Sequence, residues 1–195
     1  ANDDWEWLNL GLYDLKNGYT EPNANDGFDI ADIISKRDLG TNGTMTDLDR
    51  VTLMLTARGY DCSNLAQYNG GKPFIDKKGN EIDNLVANIC ETKKLSLNGV
   101  IFGLLALDIG NYTLPEGVTY DRAYMLDYML KLSCKQVAGG FMDLDGVPSL
   151  MYAIAPYQDD PVFGERVKAK LAEGVELLAE KVSDEYTLRS WGTEN

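Results

Sequence analysis

Apolar residues recur along the chain at the three- and four-residue spacing of amphipathic helices, and the two-residue alternation of strands is scarce. In "DDWEWLNLGLYDLKNG", Trp5, Leu8, Leu12 and Leu15 share one face and Gly18 supplies a stop. "TDLDRVTLMLTARGYD" carries Val51, Leu53, Met54, Leu55 and Ala57, opens with Thr46 and Asp49 in the spacing of a capping box, and stops at Gly59. "EIDNLVANICETKK" predicts a further helix, and "SLNGVIFGLLALDIGN" is apolar on nearly all sides, the mark of an interior one. "TYDRAYMLDYMLKLSCKQ" and "DPVFGERVKAKLAEGVELLAEKV" set apolar faces against charged ones and predict outer helices. Clusters such as "NGGKP" and "NYTLPEG" read as turns rather than linkers, so the pattern predicts one domain over residues 1–195.

The helices repeat. Laying "DRVTLMLTARGYD", "NGVIFGLLALDIGN" and "DGVPSLMYAIAPYQD" over one another aligns Asp49, Asn98 and Asp145, then Val51, Val100 and Val147, then Ala57, Ala106 and Ala153. Asp4, ahead of "WEWLNLGLYDL", makes a looser earlier copy. A period of roughly 50 residues predicts stacked supersecondary units, here one pair of helices each. Phe141 stands four residues before Asp145 as Trp191 stands four before Asn195, so "SWGTEN" predicts the approach to another inner helix and an array truncated at its C-terminal end.

Charge narrows the partners. With 18 basic against 31 acidic residues the net charge is −13, which repels phosphate backbones and anionic lipid and offers no basic stripe to nucleic acid. No window approaches the roughly 20 apolar residues of a membrane-spanning helix. Cys62, Cys90 and Cys134 are too far apart for a zinc or redox motif and read as buried apolar positions. The chain has no histidine, which removes Ser-His-Asp and Cys-His nucleophilic sites and every His-containing zinc site. Proton transfer, if any occurs, falls to carboxylates, tyrosines or lysines.

Small, apolar inner helices alternating with amphipathic outer ones at this period, with "GGF", "AIAPY" and "SWGTEN" segments, resemble the α/α-toroid superfamily. The likeness is greatest to the prenyltransferase and squalene-cyclase-like repeat domains of secreted bacterial proteins. The resemblance implies an all-α fold of helical hairpin repeats forming an arc or incomplete α/α toroid, and a secreted or cell-surface location.

The same resemblance frames the candidate chemistry. Class II terpene cyclases place a DxDD motif at the start of an inner helix. "DLDG" matches it with Asp143 in the first position and Asp145 as the general acid, while Gly146 replaces the third aspartate. The alternative is that Asp145 caps its helix, as the repeat-equivalent Asp49 and Asn98 suggest. The prenyltransferase zinc needs a histidine that is absent, and Cys90-Glu91 in "NICETKK" lacks the glycine and glutamine of a CGEQ thioester. Two carboxylates are too few ligands for calcium, so neither metal nor cofactor is expected. If the inner helices run parallel, their starts gather at one rim, bringing Asp49, Asn98, Asp143 and Asp145 together with Phe141 and Trp191. Polar groups beside aromatic faces suit a small molecule, a glycan or a neighbouring protein domain. The expectation is a non-catalytic binding module, with acid catalysis by Asp145 as its rival.

Overall fold

The computed structural model describes residues 4–19, 21–22, 27–182, 189–190 and 193–194. They are predominantly helical, so the all-α expectation holds, with two short antiparallel β-pairs. The chain falls into two compact units, Ala1–Asp121 and Arg122–Asn195.

Among the described residues, the α-helices of the first unit are α1 (Asp4–Lys16), α2 (Ile30–Ser35), α3 (Met45–Ala57), α4 (Leu85–Cys90) and α5 (Leu97–Ile109). Between α3 and α4 lies the hairpin β1 (Phe74–Ile75) and β2 (Glu81–Ile82). Thr44, extended at φ −73° and ψ 137°, caps α3 by accepting from Asp47 N–H, and its hydroxyl lies 2.6 Å from the Asp47 carboxylate. The cap therefore sits two residues before the Thr46 of the sequence reading, which moves Asp49 into the second turn and the interior. Likewise α4 begins at Leu85, capped by Asn84, because Glu81 and Ile82 are committed to the hairpin.

α3 is the core of this unit, with Met45, Leu48, Val51, Met54 and Leu55 sealed from solvent. It lies between α1 and α5, and glycines set the approach. A Cβ on Gly11 would lie 2.8 Å from the Ala57 carbonyl carbon, and one on Gly99 2.6 Å from Met45 Cβ. The contacts also fix direction. Asp4 meets Arg50 while Gly11 meets Ala57, and Gly99 meets Met45 while Gly103 meets Asp49, so α1, α3 and α5 run parallel. Gly99→Ala is expected to cost about 1–3 kcal/mol in a urea melt, since the neighbour it strikes is next to backbone and the overpacking exceeds any gain in helix propensity.

The second unit contains α6 (Arg122–Lys131), α7 (Cys134–Ala138), α8 (Gly146–Ile154) and α9 (Gly164–Lys181). Ser133 and Gln136 form a reciprocal capping box on α7. α9 ties the unit together through Lys170, whose buried ammonium donates to the Leu132 carbonyl at 2.5 Å and to Glu173 at 2.6 Å. Glu173 in turn accepts from Cys134 N–H at 2.7 Å.

Candidate ligand-binding site

The sequence-predicted site residues divide between the two units. Asn98 is half-buried in the first turn of α5. Asp49 is fully buried in the second turn of α3, and neither carboxylate oxygen has a hydrogen-bond partner. A Cβ on Gly103 would stand 3.2 Å from Asp49 Oδ1, so the carboxyl lies directly against α5. Burial, with repulsion from Asp47 as a lesser cause, pushes its pKa well above the ordinary carboxylate range.

Asp143 and Asp145 form a single 3₁₀ turn that leads into α8. Asp145 has helical dihedrals, φ −61° and ψ −22°, and its carboxylate takes no capping hydrogen bond from the first turn of α8. Asp145 thus stands at the N-cap position of α8, as one of the sequence readings has it, but without the extended backbone that would turn its side chain back onto the helix start. The cyclase-like acid needs enclosure in an apolar chamber, but Asp145 is half-exposed. Gly146, at the place of the third cyclase aspartate, is buried. A Cβ there would meet Val137 Cγ1 at 3.0 Å and Met142 Cβ at 3.2 Å, so any side chain at this position would have to push these neighbours aside.

Asp143, at a left-handed φ of 50°, lines a cleft of about 450 Å³ with Lys135, Leu144, Glu180 and Lys181. Phe141 is 84% exposed rather than wedged in a core. Trp191 lies outside the described residues. Among the described residues no three His, Cys, Asp or Glu side chains converge as a metal site, and no helix is long and apolar enough to cross a membrane.

The first unit also holds a small pocket that includes Asn98 alone of the sequence-predicted site residues. At the shared N-terminal end of α1, α3 and α5, the side chains of Trp5, Thr46, Arg50, Leu53, Asn98 and Phe102 enclose a pocket of about 90 Å³. Trp5, Leu53 and Phe102 make the apolar wall; Thr46, Asn98 and Arg50 make the polar edge. An ion network holds the edge in place. Buried Asp4 pairs with Arg37 and accepts from Arg50 Nε at 2.9 Å, while Arg50 Nη2 donates to Asp47 at 2.6 Å. Both carboxylates beside the pocket are thereby neutralised.

Of these six lining residues, the sequence reading named only Asn98 as a candidate, not its companions. Their signal lay in the same repeat register: Trp5 follows Asp4, Arg50 follows Asp49, and Phe102 stands one turn beyond Asn98. What could not be read was which way each position turns.

A second depression, about 440 Å³ and strongly polar, lies at the opposite ends of α3 and α5 between Thr56, Asp61, Ser63, Asn111 and Thr113. Beneath it Tyr112 exchanges a 2.7 Å hydrogen bond with Thr56 and accepts from Cys62 N–H at 3.1 Å. Burial pushes the Cys62 thiol up to about 12, favouring its protonated form.

No family model, curated protein or solved structure matches the chain.

Proposed function

We propose that the chain is a non-catalytic binding module of α/α-toroid type, belonging to a secreted or surface bacterial protein and taking its ligand at the rim formed by the starts of α1, α3 and α5. The observation that carries this reading is the pocket at Trp5, Leu53 and Phe102, edged by Asn98, Thr46 and Arg50. Its volume suits one aromatic ring or branched aliphatic group, and its edge offers hydrogen bonds to the polar atoms attached to that group. Such a site takes the tip of a small molecule, a sugar face or a side chain of a neighbouring domain.

The charge arrangement favours binding over catalysis. Asp4 and Asp47 are engaged by arginines, and neither lines the pocket. Asp49, whose burial raises its pKa, is sealed between helices away from the pocket.

Nitrogen-15 NMR tests the reading. The Trp5 indole and Asn98 amide signals are followed during titration with maltotriose, N-acetyl-leucinamide and farnesol. Binding by one probe should shift both signals, and Phe102→Ala should weaken it about tenfold, or about 1.4 kcal/mol. Silence from all three probes sinks the rim site, and turnover of farnesol to a new product sinks the non-catalytic reading.

A further inference from the structure

We propose that the polar depression at the far ends of α3 and α5 is a second binding site, for a ligand that carries a protonated primary amine beside hydroxyl groups. It lies at the opposite end of these helices from the rim pocket and is independent of the reading above. Two short tracts build it. In residues 61–63 and 111–113 the middle residue, Cys62 or Tyr112, is buried, and its neighbours Asp61, Ser63, Asn111 and Thr113 line the depression. Cys62 N–H donates to the Tyr112 hydroxyl at 3.1 Å and ties the two buried centres together, and Thr56 holds the same hydroxyl at 2.7 Å. Asn111, at a left-handed φ of 48° that asparagine tolerates, makes the turn out of α5 from which Tyr112 reaches inward. The four polar side chains are therefore carried on two walls joined by a hydrogen bond beneath them, and binding does not have to order loose loops.

Charge selects the ligand. Among the described residues, Asp61 is the one charged side chain that lines the depression. Its Oδ1 accepts from Ser63 N–H at 2.9 Å and from the Ser63 hydroxyl at 2.6 Å, while Asp61 N–H donates to the Tyr68 hydroxyl at 2.9 Å, so carboxylate and backbone are both placed. Arg58, close by in sequence, does not line the depression; its guanidinium stacks on the rings of Trp7 and Phe28, 4.9 and 4.4 Å from their centroids. Because α3 and α5 run parallel, both bring the negative poles of their dipoles to this side. A carboxylate and two helix C-termini make a field of acceptors, which an ammonium group answers with charge and three donors. A divalent metal ion fits less well, since one carboxylate supplies too little of its coordination and no three acidic, cysteine or histidine side chains converge among the described residues. Beside Asp61, the Asn111 amide and the Thr113 hydroxyl can each give or accept a hydrogen bond, which suits hydroxyls next to the amine.

The test is nitrogen-15 NMR of the whole chain, read at the Asn111 side-chain amide and the Ser63 and Thr113 backbone amides during titration with glucosamine, N-acetylglucosamine and putrescine. Glucosamine should shift all three signals. Putrescine, an amine without hydroxyls, should bind more weakly, and N-acetylglucosamine, with hydroxyls but no charge, should shift none. That contrast is read on the wild-type chain and needs no variant. Asp61→Asn keeps an acceptor for Ser63 while removing the charge, and should weaken glucosamine about tenfold. Asn111→Gly, which suits the left-handed turn, should weaken glucosamine and leave putrescine unchanged. Phe102→Ala, at the rim pocket, should leave glucosamine binding as it is, so the two sites stand or fall separately. Silence from glucosamine, equal binding of N-acetylglucosamine, putrescine binding more tightly than glucosamine, or indifference to Asp61→Asn overturns the proposal.

Discussion

Asp49→Asn is expected to raise stability at pH 8 by about 1–3 kcal/mol and to flatten the dependence of stability on pH above about pH 4. Both oxygens of Asp49 are buried without a hydrogen bond, and burial holds its folded-state pKa well above the value of an unfolded chain. A carboxyl shifted upward keeps its proton in the folded state after the unfolded state has lost it. Its favourable contribution is complete below the unfolded pKa and is lost as pH rises through the folded one. Asparagine has the same shape and cannot ionise, so it removes that loss. At pH 4 the two proteins should differ little, because the protonated acid and the amide leave comparable polar groups without partners. Urea melts between pH 4 and 9 measure the effect. Parallel curves for wild type and variant would show that Asp49 finds compensation on ionising, and would remove the account of it given above.

Asp76→Ala should destabilise the first unit by about 2–4 kcal/mol, the larger effect of the two. Asp76 is buried and gathers the turn between β1 and β2. Its Oδ1 accepts from Lys78 N–H at 2.7 Å and Asn80 N–H at 2.9 Å, and its Oδ2 from Leu39 N–H at 2.9 Å and the Asn80 amide at 2.9 Å. Burial alone would raise this carboxyl, but the hydrogen bonds from Asn80, Leu39 and Lys78 outweigh it and hold the pKa below its ordinary value. Truncation leaves several donors with no acceptor, which costs more than the bonds themselves contributed. The linkage runs opposite to that of Asp49: the contribution of Asp76 is present above the unfolded pKa and is lost as pH falls through the folded one. Asp76→Ala should therefore lose most at neutral pH and approach wild type in strong acid. A thermal melt within about 1 °C of wild type at pH 7 would show that water replaces the carboxylate, contrary to the prediction.

The two aspartates also show where reading from sequence stopped. "DKKGN" announces a turn, with Gly79 at φ 82° supplying the left-handed residue, but nothing near it announces Leu39, which lies 37 positions away in the chain. Asp49 was legible as one of a series with Asn98 and Asp145, and that series led to the rim. The same register nonetheless produces three different environments: Asp49 is sealed, Asn98 edges a pocket, and Asp145 lies in a half-exposed 3₁₀ turn.

The sequence by itself determined the helical class, the positions of α1, α3, α5 and α9, the interior character of the "VIFGLLAL" segment, and the absence of histidine chemistry. Those follow from periodicity, capping and composition, which are local and act wherever the chain folds. Only the tertiary structure decided which side of α1 is covered, that Asp49 faces Gly103 without a partner, and that Arg37 and Arg50 together pair Asp4 and Asp47 beside an apolar pocket. Helical period fixes the angle of a side chain about its own axis; the neighbour waiting at that angle depends on how closely two backbones approach, and here Gly11, Gly99 and Gly103 set that distance.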